Sequence, residues 1–340
     1  MGDYQLNALV PRQPEPWTNE LVPYSNKIYH IFFHSLILNP HLAFKSSRAQ
    51  GYDDWMITRE EFKEILNRLY QNDFALVDID YVKQMKKEQK PLLFFENKKP
   101  LILSVDDVNY YEYMKNDGFA EKLIVDEGGK LATTVLGSKG RTIDYEGDIM
   151  PIINDFVDKN PDFSFNGAKG IVGVTGYQGV FGYRINWLEG LEKTQAIINA
   201  KNVANNLKMN GWKIACHSYS HTNAFKDGSI AYDRFKRDVG KWNDIVAPVT
   251  GRTNIYISPF GIEFYPNDLR LRHLAQSGFD IFCPVYKKMN IKFAGDFMIS
   301  QRLNIDGFTL QKYPNRIESE LFCVDNILDK TRPGSNHILD

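Results

Sequence analysis

Apolar positions in this chain follow two rhythms, short unbroken runs and helical spacings, which alternate over most of its length. The runs 27–35 (KIYHIFFHS), 75–79, 100–105 (PLILSV), 131–136, 170–175, 212–216 (WKIAC), 254–257, 279–284 and 299–305 are rich in Ile, Val, Leu and aromatics. Polar residues, Gly or Pro bound them, and they predict strands. Helical spacings fall between. Thr58 suits an N-cap, Glu61 stands three residues on, and Phe62, Ile65, Leu66 and Leu69 recur on one face. Further helices are predicted over 149–157, ended by Asn160-Pro161, over 191–209, ended by Asn210-Gly211, over 232–246, and over 268–276, closed by Gly278. Residues 1–27 carry Pro11, Pro14, Pro16 and Pro23 and predict an irregular lead-in.

Short apolar strands separated by helices predict a parallel sheet with helices outside it. About eight strands with no clear linker point to one α/β domain over 28–330, a closed or incomplete (β/α) barrel, rather than to two domains. A doubly wound open sheet shows the same alternation. In either fold, reactive side chains belong at the C-terminal ends of strands.

Composition narrows this picture without changing it. Hydrophobic content of 43% is ample for a large core. Lys and Arg number 41 against 42 acidic residues with no basic block, which excludes the electrostatic footprint of a nucleic-acid binder. The longest apolar run, from Ile28 to Phe44, is broken by His30, His34, His41, Asn39 and Pro40 and predicts no membrane span. Three scattered cysteines, Cys216, Cys283 and Cys323, predict small buried residues, not a disulfide framework. The first ten residues do not resemble a signal peptide.

Two motifs carry chemistry, and both sit at predicted strand ends. Asp106-Asp107 directly follows the run LILSV. Adjacent side chains of a regular strand face opposite ways, so both acids reach one site only if the strand gives way to a loop there. His217 and His221 directly follow WKIAC, and their four-residue spacing puts both imidazoles on one side of a helical turn. Two histidines and one carboxylate leave a coordination position open, as a catalytic zinc requires. The second carboxylate is then available to deprotonate water attacking a carbonyl.

With these residues the chain resembles the polysaccharide deacetylases, the NodB-like carbohydrate esterases, over roughly 27–305. Their first motif, T-F-D-D-G after a strand, appears as Ser104-Val105-Asp106-Asp107-Val108. The histidine motif appears as His217-Ser218-Tyr219-Ser220-His221, and P-Y-G as Pro259-Phe260-Gly261. The resemblance implies a distorted or incomplete (β/α) barrel of the deacetylase type. It implies one divalent ion, zinc by expectation with cobalt, nickel or iron as the other choices, held by Asp107, His217 and His221. Asp106 would be the base, and the Phe260 backbone N–H would help stabilise the oxyanion. The substrate implied is an acetylated polysaccharide or oligosaccharide bearing N-acetyl or O-acetyl groups, and the place of action secreted or cell-surface.

Departures from the family pattern shape the remaining expectations. Val108 stands where the usual motif has Gly, and Ile257 where many members have Arg. Arg302 or Arg252 is then left to orient Asp106, and we assign that role to Arg302. The usual C-terminal histidine is missing, since His273 falls in a predicted helix and His337 in the tail. In the poly-N-acetylglucosamine deacetylase branch a histidine ends the first strand, and His34 (IFFHS) is placed similarly, with His30 its rival. His34 would protonate the leaving amine. The stretch 137–211 is longer than the family's, and its Gly- and Tyr-rich segment 176–183 and Trp187 predict a self-packed loop or a sugar-stacking surface. Tyr110, Tyr111 and Tyr113 have the same two readings, and we assign substrate contact to Tyr110. A catalytically silent sugar-binding domain and a small-molecule amidase are the alternative functions.

Overall fold

Strand Lys99–Val105 is buried from Pro100 to its end, as an unbroken apolar run is when both faces of its sheet are covered. It belongs to a computed structural model that describes residues 20–333 except 138 and 266, so His337 lies outside the described residues. Ten strands form the main sheet: β1 (Tyr29–Phe33), β2 (Phe74–Leu76), β3 (Lys99–Val105), β4 (Gly170–Val174), β5 (Trp212–Cys216), β6 (Ile255–Ile257), β7 (Ile281–Cys283), β8 (Asn290–Ala294), β9 (Phe297–Gln301) and β10 (Leu303–Asn304). Their order is β8-β9-β7-β6-β5-β4-β3-β1-β10, with β2 also on β3. Every pairing is parallel except β8 with β9. The fold is therefore α/β, with a large parallel sheet and helices packed against it.

β9 and β10 are separated only by Arg302, yet they pair with strands far apart in the sheet order. β9 joins β7 through Met298 and Ile299, and β10 joins β1 through Leu303 and Asn304. His30 of β1 lies within this arrangement, its Nδ1 2.8 Å from Ser300 Oγ and its Nε2 3.2 Å from Ser104 Oγ. All three groups are buried, and the contacts satisfy polar atoms that burial would otherwise penalise.

The helices follow their sequence signals, with exceptions that have local causes. Thr58 and Glu61 form a reciprocal cap on helix Arg59–Gln71, which buries Phe62, Ile65, Leu66 and Leu69. The predicted strand 75–79 runs too far. Asp78 accepts from the backbone of Asp80 and Tyr81, and so caps a helix, Ile79–Lys87, whose only buried apolar residues are Ile79 and Val82. The helix expected over 232–246 widens at Trp242–Val246 and tightens again over Ala247–Thr250. Leu131–Gly137 is a strand, but it lies in a separate antiparallel sheet with Ala120–Val125 and Gly140–Asp144. Within the lead-in, Leu21–Tyr24 pairs with Leu92–Phe95. The stretch 137–211 supplies β4 to the main sheet and a 20-residue helix, Gly190–Met209. Among the described residues no helix is long and apolar enough to cross a membrane. Cys216 and Cys283 are buried as expected, whereas Cys323 is exposed.

Candidate active site

The two acids reach one cavity because the backbone leaves its strand between them. Asp106 N still donates to Phe33 O of β1 at 2.8 Å, whereas Asp107 is left-handed, with φ 59°. That conformation costs an L residue about 1–2 kcal/mol, less for Asp and Asn. It lies on Asp107 and not on Val108, so Val in place of the family's Gly is accommodated and fills the core. Asn109 fastens the loop to the end of β4, accepting from Thr175 N at 2.9 Å and donating to Thr175 O at 3.1 Å. A second left-handed residue, Tyr110 (φ 49°), then turns Tyr111 back so that its hydroxyl donates to Asp107 Oδ1 and lies 3.0 Å from Thr175 Oγ1. Asp107 Oδ2 is left facing the histidines.

His217 and His221 do not lie on a helical turn. After β5 the chain passes through left-handed Ser218 (φ 59°) and His221 (φ 42°). Buried Asp238, on helix Tyr232–Lys241, holds this bend by accepting from Tyr219 N at 2.7 Å, Ser220 N at 2.9 Å and the Ser220 hydroxyl. The two imidazole centroids end 4.9 Å apart. His217 Nδ1 lies 3.0 Å from Ile257 O and donates to it, which leaves Nε2 with its lone pair toward Asp107.

Asp107, His217 and His221 bring three ligand atoms within 4.8 Å of one another. Asp107 Oδ2 is 3.9 Å from His217 Nε2 and 3.8 Å from His221 Nε2. Ligands of a tetrahedral ion with bonds of about 2.1 Å stand about 3.4 Å apart, so small rotations suffice to close the set. Electrostatics agree with a cation here. Burial alone raises the Asp107 pKa, but His221, His217, His34 and the Tyr111 hydroxyl outweigh it and pull the carboxyl down to about 2. Burial, assisted by His221, lowers His217 below its ordinary value against Asp106 and Asp107, which favours the neutral imidazole that binds metals.

Asp106 is tied to buried Arg302, the residue between β9 and β10. The guanidinium donates to both carboxylate oxygens, at 2.7 and 3.0 Å, and to Ser104 Oγ at 3.0 Å. Burial works to raise the Asp106 pKa, and Arg302, His217 and His34 together hold it below the ordinary carboxylate value. Arg252, the other candidate partner, is exposed and makes no such contact.

These residues line a cavity of about 670 Å³, which includes His34, Asp106, Asp107, His217, His221 and Phe260. Of the two rival histidines only His34 borders it, and the His34 Nδ1 is buried without a hydrogen-bond partner. Phe260 is left-handed (φ 54°), and its ring centroid lies 4.5 Å from that of His221. The next residue must be Gly, because Gly261 has φ 68° and a Cβ there would come 2.5 Å from Val285 Cβ. Tyr110 is a correction: it lies outside the cavity, in the core, with its hydroxyl 2.5 Å from Asp148 Oδ2. Of Tyr110, Tyr111 and Tyr113 it is Tyr113 that lies on the cavity wall, with Tyr52, Trp55 and Arg48. Segment 176–183 is self-packed, with Val180 and Phe181 buried, although Tyr177 stacks on Tyr111 at 5.2 Å. Sequence reasoning missed Tyr111 on Asp107, Asp238 behind the histidines, and Asn304 and Asp306 on the cavity wall. The signal for the last two was their place at the end of the final strand.

No protein-family model matches the sequence, and no curated protein matches it. Solved structures do align with it. A de-N-acetylase from Aggregatibacter actinomycetemcomitans aligns at 13% identity over 86% of this chain and 98% of its own, with a TM-score of 0.51. The Streptococcus pyogenes deacetylase PplD, solved in complex with acetate, aligns at 13% identity over 85% and 98%, with a TM-score of 0.49. The deacetylase domain of BpsB from Bordetella bronchiseptica aligns at 11% identity over 84% and 98%, with a TM-score of 0.46. The chain is thus an α/β protein with the fold of that de-N-acetylase, carrying a carboxylate and two histidines that converge beside a buried Asp–Arg pair.

Proposed function

We propose that this protein is a metal-dependent hydrolase that removes N-acetyl groups, or O-acetyl groups, from a polysaccharide outside the cell. One observation carries the reading: the Asp107, His217 and His221 ligand atoms converge in the same cavity that Asp106, held ionised by Arg302, also lines. We read the sheet as a distorted (β/α) barrel, supported by the pairing of β9–β10 with both β7 and β1. The deacetylase-like fold and the motifs at three strand ends support the same assignment.

Asp107, His217 and His221 would hold one divalent cation, with zinc suited to their nitrogen and oxygen donors. Such an ion supplies Lewis-acid charge at the acetyl carbonyl and makes water easier to deprotonate. The chain's own groups supply the rest. Asp106, kept ionised and aimed by two hydrogen bonds, accepts the proton of the attacking water. The Phe260 backbone N–H would help stabilise the developing oxyanion. His34, on the cavity wall with Asp306, delivers a proton to the departing amine.

The test pairs metal content with acetate release from N-acetylglucosamine oligomers. Wild type is expected to hold about one divalent ion per chain and to release acetate. His217→Ala should lose the ion, and Asp106→Asn should keep it while turnover falls about 10²–10⁴-fold. Oligomer binding without acetate release from any acetylated glycan would instead identify a silent binding domain. Activity confined to small amides would identify an amidase.

A further inference from the structure

One wall of the metal-ligand cavity is a short helix, Ala49–Trp55, which with the following Met56 puts Gly51, Tyr52, Trp55 and Met56 on the cavity. A helix of 7 residues is not stable by itself, and its N-cap residue, Arg48, makes no side-chain cap. Asn304 and Asp306 line the same cavity and lead into helix Gly307–Lys312. The two helices meet at Asp53, which does not line the cavity. Gln311 Nε2 donates to Asp53 Oδ1 at 3.2 Å, and a Cβ on Gly307 would come 1.9 Å from Asp53 O. The Trp55 and Phe308 rings stand 5.7 Å apart beside this junction.

A residue far along the chain clasps the junction. Arg332 is buried, as are Asp53 and Glu61. Its guanidinium donates to Asp53 Oδ1 at 2.7 Å and Asp53 O at 2.8 Å, to Met56 O at 2.8 Å, and to Glu61 Oε1 and Oε2 at 2.6 and 2.7 Å. Glu61 also caps the helix Arg59–Gln71 and accepts from Asp329 N at 2.8 Å, so the segment before Arg332 is drawn to the same carboxylate. A planar fork reaches two carboxylates and two carbonyls at once, which a lysine ammonium does not. Arg332 stands beyond residue 305, where the likeness to the deacetylase motifs ends. Charge is not needed here for stability alone, because a buried ionic triad is commonly matched by uncharged groups of similar volume. What such groups do not reproduce is one rigid plane bonded to helix Ala49–Trp55, to the Met56 carbonyl and to the next helix together.

We propose that Arg332 is a positioning residue for substrate binding: it pins helix Ala49–Trp55 from outside the cavity and so fixes the wall formed by Gly51, Tyr52, Trp55 and Met56. It touches no reacting atom, and it acts through Asp53 and the Met56 carbonyl. The inference rests on the polysaccharide deacetylase reading and adds that the shape of the cavity depends on a residue that does not line it. A wall that holds the substrate equally before and during reaction changes KM and leaves kcat alone. The metal ligands and Asp106 lie on other segments, so metal content and the base are independent of the clasp.

The experiment compares wild type with Arg332→Ala, Arg332→Lys and an uncharged triple variant, Asp53→Asn with Glu61→Gln and Arg332→Met, in which Gln still caps its helix. Tm, metal content, hydrogen exchange over residues 49–56, and KM and kcat on N-acetylglucosamine hexamer are measured for each. Arg332→Ala is expected to lower Tm by leaving two buried carboxylates without their partner, and the triple variant to restore it. Both should raise KM about tenfold, the worth of one aromatic wall contact, with kcat and metal content retained. In both, the 49–56 amides should exchange about tenfold faster than in wild type while those of Lys99–Val105 do not change. Arg332→Lys should fall between. If Arg332→Ala does not fold, the other two variants decide. A triple variant with wild-type KM, or with wild-type exchange over 49–56, would overturn the proposal, since Arg332 would then only neutralise buried charge. If wild type releases no acetate from any oligomer, the deacetylase reading fails, and exchange over 49–56 in the triple variant decides the clasp separately.

Discussion

At the residue scale, the acids and histidines of the site were legible because they stand at the ends of apolar runs, where the fold class puts reactive groups. Their immediate partners were legible only in part. Sequence narrowed the partner of Asp106 to two arginines, and only the pairing of β9 and β10 puts Arg302 beside it. Among the tyrosines, Tyr110, of which substrate contact was expected, is buried in the core, and Tyr113 lines the cavity instead. Left-handed Asp107 and Tyr110 break the alternation by which strand faces are counted, so Tyr110 turns inward and Tyr111 reaches Asp107. That inward turn has a measurable result. Burial raises the Asp148 pKa to about 6, with Tyr110 and the backbone N–H groups of Ile149 and Leu36 only partly offsetting it. The folded protein therefore binds this proton more tightly than the unfolded chain, whose carboxyl titrates near 3.9. Stability from this group is complete below about pH 4 and is lost as pH rises through 6, by about 3 kcal/mol in all. Asp148→Asn is expected to flatten the urea-derived stability profile between pH 4 and 7, and an unchanged slope would refute this.

At the element scale, strands and long helices were readable from periodicity, while loops that bend by left-handed residues were not. The spacing of His217 and His221 suggested a helical turn, but the structure builds the same proximity from a bend braced by Asp238, 17 residues beyond His221. Nothing in the local sequence reports such a brace, because it comes from another element. Partners of this kind typically change metal affinity 10–100-fold. Asp238→Ala removes the acceptor for two backbone N–H groups, so its zinc affinity, measured by chelator competition, should fall by that factor with the circular dichroism unaltered. Wild-type affinity in this variant would show the bend to be self-supporting. The misplacement of 131–136 has a different cause: a short apolar strand looks alike in a parallel and in an antiparallel sheet, and only its partners differ.

At the scale of the whole molecule, alternation of strands and helices gave the α/β class, but not the order of the sheet or the link between β7 and β1. That link sets where rigidity lies. Met298 and Ile299 of β9 are paired on both flanks, with β7 and with β8, so their amides should exchange only with global unfolding. Native-state hydrogen exchange tests this, and faster, locally governed exchange there would contradict it. The same segment carries a consequence for how the protein is made. Asp106 and Arg302 are 196 residues apart in the chain. At a synthesis rate of about 5–20 residues per second, the carboxylate leaves the ribosome roughly 10 to 40 s before its guanidinium partner. Through that interval Asp106 is a charge with no counter-ion and is costly to bury. The growing chain then has every reason to keep its centre wet until the last strand arrives. Competence would appear late and all at once, and a ribosome that stalls before residue 302 would release a chain whose centre has no means of closing.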